Sequence, residues 1–143
     1  MLIAGAELPE DLLYWVEDQT WARLREDGTA VLGITALGLK ASGEIYMCRP
    51  KAAGTRVEQG RSMAVVELAK SIVSVKAPLT GEVLRVNAVL EATPELVHLD
   101  PYGQGWLIEL RPERLDEERA ALLAGSAARE AMEKYAWLNQ LEQ

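Results

Sequence analysis

Two lysines six positions apart, Lys70 and Lys76, are the residues of this chain best placed to do chemistry. Lys70 lies in Val65-Val66-Glu67-Leu68-Ala69-Lys70-Ser71-Ile72-Val73, eleven positions before Gly81. Apolar and β-branched residues approach it, Ile72, Val73 and Val75 lead away, and Pro78 with Thr80-Gly81 supplies the next turn. The pattern predicts a hairpin with Lys70 at its tip, where an amine projects into water and is open to acylation. Lys76 stands only five residues before Gly81, beside Ala77-Pro78. There the same pattern predicts a strand-face lysine with a solvated charge.

Few other residues offer reactive chemistry. His98 and Cys48 are the only histidine and the only cysteine, too few for a metal cluster. A surface or capping role is expected of His98. Cys48 is expected to pack in the core, since Arg49 beside it is not enough to make a reactive thiolate. One histidine supports no convincing Ser-His-Asp arrangement, and Gly33, Gly38 and Gly43 do not spell a phosphate-cradling loop. No independent catalysis is expected. Trp15, Trp21, Trp106 and Trp137 are expected to anchor cores in a chain that contains no phenylalanine.

The elements that must hold Lys70 follow from punctuation. Between Trp21 and Trp106, glycine and proline recur often enough to divide the chain into short runs, which suits strands better than helices. Strands are predicted at 22–25, 30–34, 44–47, 63–67 and 105–110, and so many short strands imply a mainly β sandwich or flattened barrel. A short N-terminal helical turn is predicted over 8–14, with Pro9 near its start. From Leu115 onward Ala, Glu, Arg and Leu dominate, and Leu122, Leu123, Ala127, Met132 and Trp137 suggest amphipathic helices. Gly125-Ser126 should end one and open the next, with Ser126 as the cap and Glu130 in the first turn.

At 143 residues and 49% hydrophobic content the chain reads as one domain with a real core. Charged residues interrupt every apolar stretch, and Met1 to Gly5 carry no basic segment, so no membrane span and no export are expected. A lone cysteine fits a cytoplasmic setting. With a net charge of -7 and 15 scattered Lys and Arg, a nucleic-acid surface is not expected. Acidic charge instead favours basic faces of protein partners.

Ordered motifs then carry a resemblance. Gly33-Ile34-Thr35 with Gly43-Glu44-Ile45, Gly54-Thr55-Arg56-Val57-Glu58-Gln59-Gly60, Pro94-Glu95-Leu96-Val97 and Asp100-Pro101-Tyr102-Gly103-Gln104-Gly105-Trp106-Leu107 match, in order, motifs of the glycine cleavage H-protein family. The chain resembles that family over most of its length. The family places its lipoyl lysine in Val-Val-Glu-Ser-Val-Lys-Ala, at the same distance from a Pro-x-x-Gly-Glu-Val turn as Lys70 from Gly81. Lys76 is the decoy: Ser74-Val75-Lys76-Ala77 repeats the family letters but stands at the wrong distance. A biotin carrier is the nearest other module, but it usually flanks its lysine with methionines, whereas Ala69 and Ser71 flank Lys70.

The resemblance implies a barrel-sandwich hybrid, lipoyl-domain-like, as a single unit over 1–143, with a β core over about 20–111 and a C-terminal helical segment over about 115–141. It implies covalent lipoate on Lys70, attached by a lipoate-protein ligase, with Glu67 as a candidate recognition residue for the ligase or a partner. Departures redirect the pathway. Asp18-Gln19-Thr20-Trp21 stands where the family has His-Glu-Trp, Met47-Cys48-Arg49-Pro50 where it has Val-Glu-Leu-Pro, and Leu68 adds bulk before the lysine. Those changes resemble the H-protein-like lipoate-binding proteins of sulfur oxidisers. The leading expectation is therefore a swinging-arm carrier of a sulfur-bearing intermediate for a heterodisulfide-reductase-like complex. The alternative is a glycine cleavage carrier of an aminomethyl group, working with enzymes that include dihydrolipoamide dehydrogenase. A second alternative is an interaction module without lipoate.

Overall fold

The computed structural model describes residues 1–142. Its central pair of strands, β4 (Thr20–Leu24) and β5 (Ala30–Ile34), shows why this sequence folds as a β protein. Thr20, Ala22, Leu32 and Ile34 point to one face, and Trp21 and Val31 to the other; all six are buried. Strands buried on both sides need a layer on each side. Trp21 lies flat against its cross-strand partner Gly33, where a Cβ would come within 2.4 Å of the indole, and its Nε1–H donates to the Ile34 carbonyl at 3.1 Å. Arg23 sits over the same ring at 5.1 Å.

Before this pair come a hairpin of β1 (Leu2–Ile3) and β2 (Ala6–Glu7), then β3 (Leu13–Trp15); α1 (Ala36–Ser42) follows it. Next are β6 (Met47–Pro50), β7 (Arg56–Val57), β8 (Ser62–Glu67), β9 (Ile72–Lys76) and β10 (Gly81–Val86). The chain closes with α2 (Val89–Ala92), α3 (Leu96–Leu99), β11 (Ile108–Pro112), α4 (Leu115–Glu118), a 3-10 turn over 119–121 and α5 (Gly125–Leu138). A six-stranded sheet runs in the order β3-β4-β5-β11-β10-β7, and a three-stranded sheet in the order β6-β8-β9.

The two sheets enclose the first core, with Leu32, Leu110 and Val83 on one side and Cys48, Val66 and Val75 on the other. The second core lies on the outer face of β4 and β5. There Trp21 and Val31 meet Ile3 and Leu8 of the N-terminal segment and Ala128, Met132 and Ala136 of α5. Alanines at two of the three buried positions let α5 lie close to the sheet. The architecture is mainly β, an open sandwich rather than a closed barrel, with a C-terminal helix.

Several elements differ from expectation. The turn at Pro9 does not propagate into a helix, because Leu8, Leu12 and Tyr14 are all buried and the Tyr14 hydroxyl bonds back to the Pro9 carbonyl. The strand expected at 44–47 begins only at Met47, and α1 occupies part of a region read as strands. Thr35 starts α1, its Oγ1 accepting from Gly38 N–H at 2.9 Å. In the C-terminal region Ser126 makes no capping bond; Ala124 stands at the cap position, after a bridge that pairs Leu123 with Tyr14. Trp137 is 77% exposed instead of lying on the packed stripe, which follows Ala128, Met132 and Ala136. Cys48 is buried, as expected.

Candidate carrier site at the β8–β9 turn

β8 and β9 pair in register from Ala64 with Val75 to Glu67 with Ile72, leaving four residues, Leu68 to Ser71, to reverse the chain. Leu68 N–H donates to the Ser71 carbonyl at 2.8 Å, so Ala69 and Lys70 alone form the outermost loop. Neither has a positive φ. Both are exposed. No carboxylate among the described residues pairs with the Lys70 ammonium. Lys76, by contrast, is half-buried within the ladder, opposite Ser62.

Glu67 is the last paired residue before the turn; its side chain is exposed and is bound neither to Lys70 nor to any other described group. Its carbonyl accepts from Tyr46 N–H at 2.8 Å, which brings the segment before β6 alongside the turn. Tyr46 and Ile72 are more than half exposed there, so the turn is flanked by apolar surface. Beneath the hairpin, Cys48 pairs with Val66 on the core face. Burial pushes its thiol up to about 12, so it stays protonated at neutral pH.

β9 is an edge strand, and beside it the sandwich is open. A groove of about 370 Å³ runs there, lined by Val73, Ser74 and Val75 of β9, by Glu17 and Asp18, and by Ile45 and Tyr135 among others. The groove starts three residues along β9 from Lys70. Sequence reasoning missed it, because its walls come from four separate parts of the chain.

The far end of β9 is anchored. Glu118, buried on α4, accepts from Thr80 N–H at 2.7 Å and from the Thr80 hydroxyl. Gln59 N–H donates to Thr80 Oγ1 at 2.9 Å, and the Gln59 side-chain amide donates to the Pro78 and Glu118 carbonyls at 3.0 and 3.1 Å. Gly81 fits this node only because it lacks a side chain: a Cβ would lie 2.1 Å from the Arg111 carbonyl oxygen. His98, expected at the surface or as a cap, is half-buried within α3, and its Nε2 accepts from Ile45 N–H at 3.0 Å, beyond the end of α1 rather than at a helix terminus.

Lipoate would need an amine free of competing ion pairs and a turn that does not fold over it, and the Lys70 turn meets both demands. Among the described residues no group of His, Cys, Asp and Glu could hold a metal ion, and no helix is long and apolar enough to cross a membrane.

Residues 13–135 match the family model described as glycine cleavage H-protein. The chain is 42% identical over 127 residues to a probable glycine cleavage system H protein 2 of Saccharolobus solfataricus, covering 87% of this chain and 85% of that one. It is 36% identical over 134 residues to glycine cleavage system H protein 3 of Aquifex aeolicus, covering 92% and 83%. Among solved structures, it is similar to a glycine cleavage system H protein from Mycobacterium marinum, with a TM-score of 0.72, 29% identity, and coverage of 94% of this chain and all of that one.

Proposed function

This chain belongs to the glycine cleavage H-protein family, and from that premise we propose that it bears its lipoyl group on Lys70 and carries an aminomethyl group between glycine cleavage enzymes. The family is one of carriers with lipoate covalently attached to a lysine and with no catalysis of their own. When attached, lipoate would supply a redox-active cyclic disulfide on a flexible arm, with sulfur as the atom that holds the transferred group.

The observation that carries the reading is the bare turn. Lys70 stands at a two-residue tip held by one backbone bond, with no ion-pair partner among the described residues. An arm fixed there is held at high effective concentration against any enzyme that docks on the hairpin. Exposed Tyr46 and Ile72 give a docking enzyme apolar contact, and Glu67 gives a ligase or partner a charge to read. Glu17 and Asp18 make part of the nearby groove's lining anionic, which suits a cationic amine. We read residues 1–143 as one such unit, since β4 and β5 contribute to both cores.

The relatives named above carry the glycine-cleavage description, so that reading takes precedence over the sulfur-oxidation reading drawn from the departures at 18–21, 47–50 and Leu68. Intact mass after incubation with lipoate, ATP and a lipoate-protein ligase tests the attachment. The expected result is one lipoyl adduct, retained in Lys76→Ala and absent from Lys70→Ala; an adduct surviving Lys70→Ala overturns the site. No adduct at all favours the interaction module. Glycine decarboxylation with the lipoylated protein then tests the pathway, and failure to turn over with competent partner enzymes returns the sulfur-bearing reading to first place.

A further inference from the structure

We propose that His98 is a positioning residue whose neutral imidazole holds the strap over residues 43–46, and with it both the groove wall at Ile45 and the contact beside the lysine turn, so that protonation of the ring loosens this end of the molecule. The strap is tied at three points. Gly43 N–H donates to the Leu39 carbonyl at 3.1 Å, closing α1, and Tyr46 N–H donates to the Glu67 carbonyl at 2.8 Å, next to the lysine turn. Between them, Ile45 N–H donates to His98 Nε2 at 3.0 Å. Ile45 is buried in the first core and lines the groove.

The middle tie is the only one of the three that a proton can cut. A neutral imidazole accepts at Nε2 when its proton is on Nδ1, whereas an imidazolium donates from both nitrogens. Protonation therefore sets N–H against N–H and leaves the Ile45 amide without its acceptor. The bond is only part-buried, so a small movement of the strap turns the freed amide to water. The backbone of α3 is held by buried Val97 and by Gly105, whose N–H donates to the Asp100 carbonyl at 2.8 Å, so a backbone response falls to the strap rather than to the helix.

Charged groups near the ring come from α1, the strap and both ends of α3. Lys40 of α1, Glu44 of the strap and Glu95 ahead of α3 line the same shallow cavity as His98, and Asp100 follows α3. Lys40 is turned away, its ammonium bonded to the Ala4 and Glu142 carbonyls. The two glutamates remain, and none of these groups forms an ion pair with the imidazole among the described residues. The tie needs an unprotonated Nε2, so it is the one of the three that a change of pH can reach. The tie is present while the ring is neutral and is lost as the pH falls.

Amide exchange read by NMR on the whole chain tests this, with the intrinsic pH dependence of exchange removed. In the parent protein, protection at Ile45 should fall about tenfold as the ring takes up its proton, with a smaller fall at Tyr46. His98→Gln offers a non-titrating acceptor and should hold protection level across pH 5–8; His98→Ala should lack it throughout. Protection at Ile45 that does not change through the imidazole titration, or that falls equally in His98→Gln, overturns the proposal. Its consequence for carriage rests on the Lys70 reading, but the amide readout does not, so failure of one is distinguishable from failure of the other.

Discussion

β9 runs between two turns that are held in different ways. At its start, Leu68 to Ser71 reverse the chain with one backbone hydrogen bond, and Ala69, Lys70 and Ser71 are all exposed. At its end, Pro78 to Gly81 are buried, with Thr80 gripped by Glu118 through both its amide and its hydroxyl while Gln59 bonds the same node. The difference separates access from rigidity. If the open turn bears the arm, as proposed, it must stay accessible to enzymes and cannot be covered by the contacts that would stiffen it. The hairpin is stiffened instead by its ladder and by the buried node at the far end of β9.

Breaking the buried node should have the largest effect. Glu118→Ala leaves the Thr80 amide N–H and hydroxyl proton without an acceptor and should lower stability by about 3 kcal/mol in urea unfolding. Thr80→Val keeps the shape and the amide bond to Glu118 but loses the hydroxyl, which bonds both Gln59 and Glu118; a loss of about 1 to 2 kcal/mol is expected in the same measurement. The smallest effect belongs to the open turn. Lys70→Ala should change stability by less than about 0.5 kcal/mol while removing the lipoyl adduct completely. A large loss of stability in Lys70→Ala, or none in Glu118→Ala, would reverse the division of labour between the turns.

Local signals in the chain account for much of what was legible. The β-branched run into Glu67 and the run out through Val75 announced a hairpin, and the structure has Lys70 at its tip. The strand at 30–34 and the burial of Cys48 followed from the same short-range patterns. α1 was hidden by Gly38, a residue that normally argues against a helix. Here it is required because a Cβ would lie 2.6 Å from the Gln19 side chain, a contact that appears only when the chain is folded. β10 was hidden because its first residue, Gly81, was read only as a turn former. Trp137 was assigned to a core for its apolarity, but α5 turns Ala128, Met132 and Ala136 towards the sheet and leaves the indole outside.

The sequence by itself determined the hairpin and the family, and it is the ground for proposing Lys70 over Lys76 by distance to the Pro78–Gly81 turn, because these depend on residue types and spacings along the chain. Tertiary structure decided how that lysine is supported. Glu118 meets Thr80 across 38 residues and His98 meets Ile45 across 53, while the groove beside β9 joins the segment at Glu17 to the end of α5. Hydrogen bonds and cavity walls of this kind require two distant backbones to arrive at bonding distance, and no local pattern records where a distant partner will be.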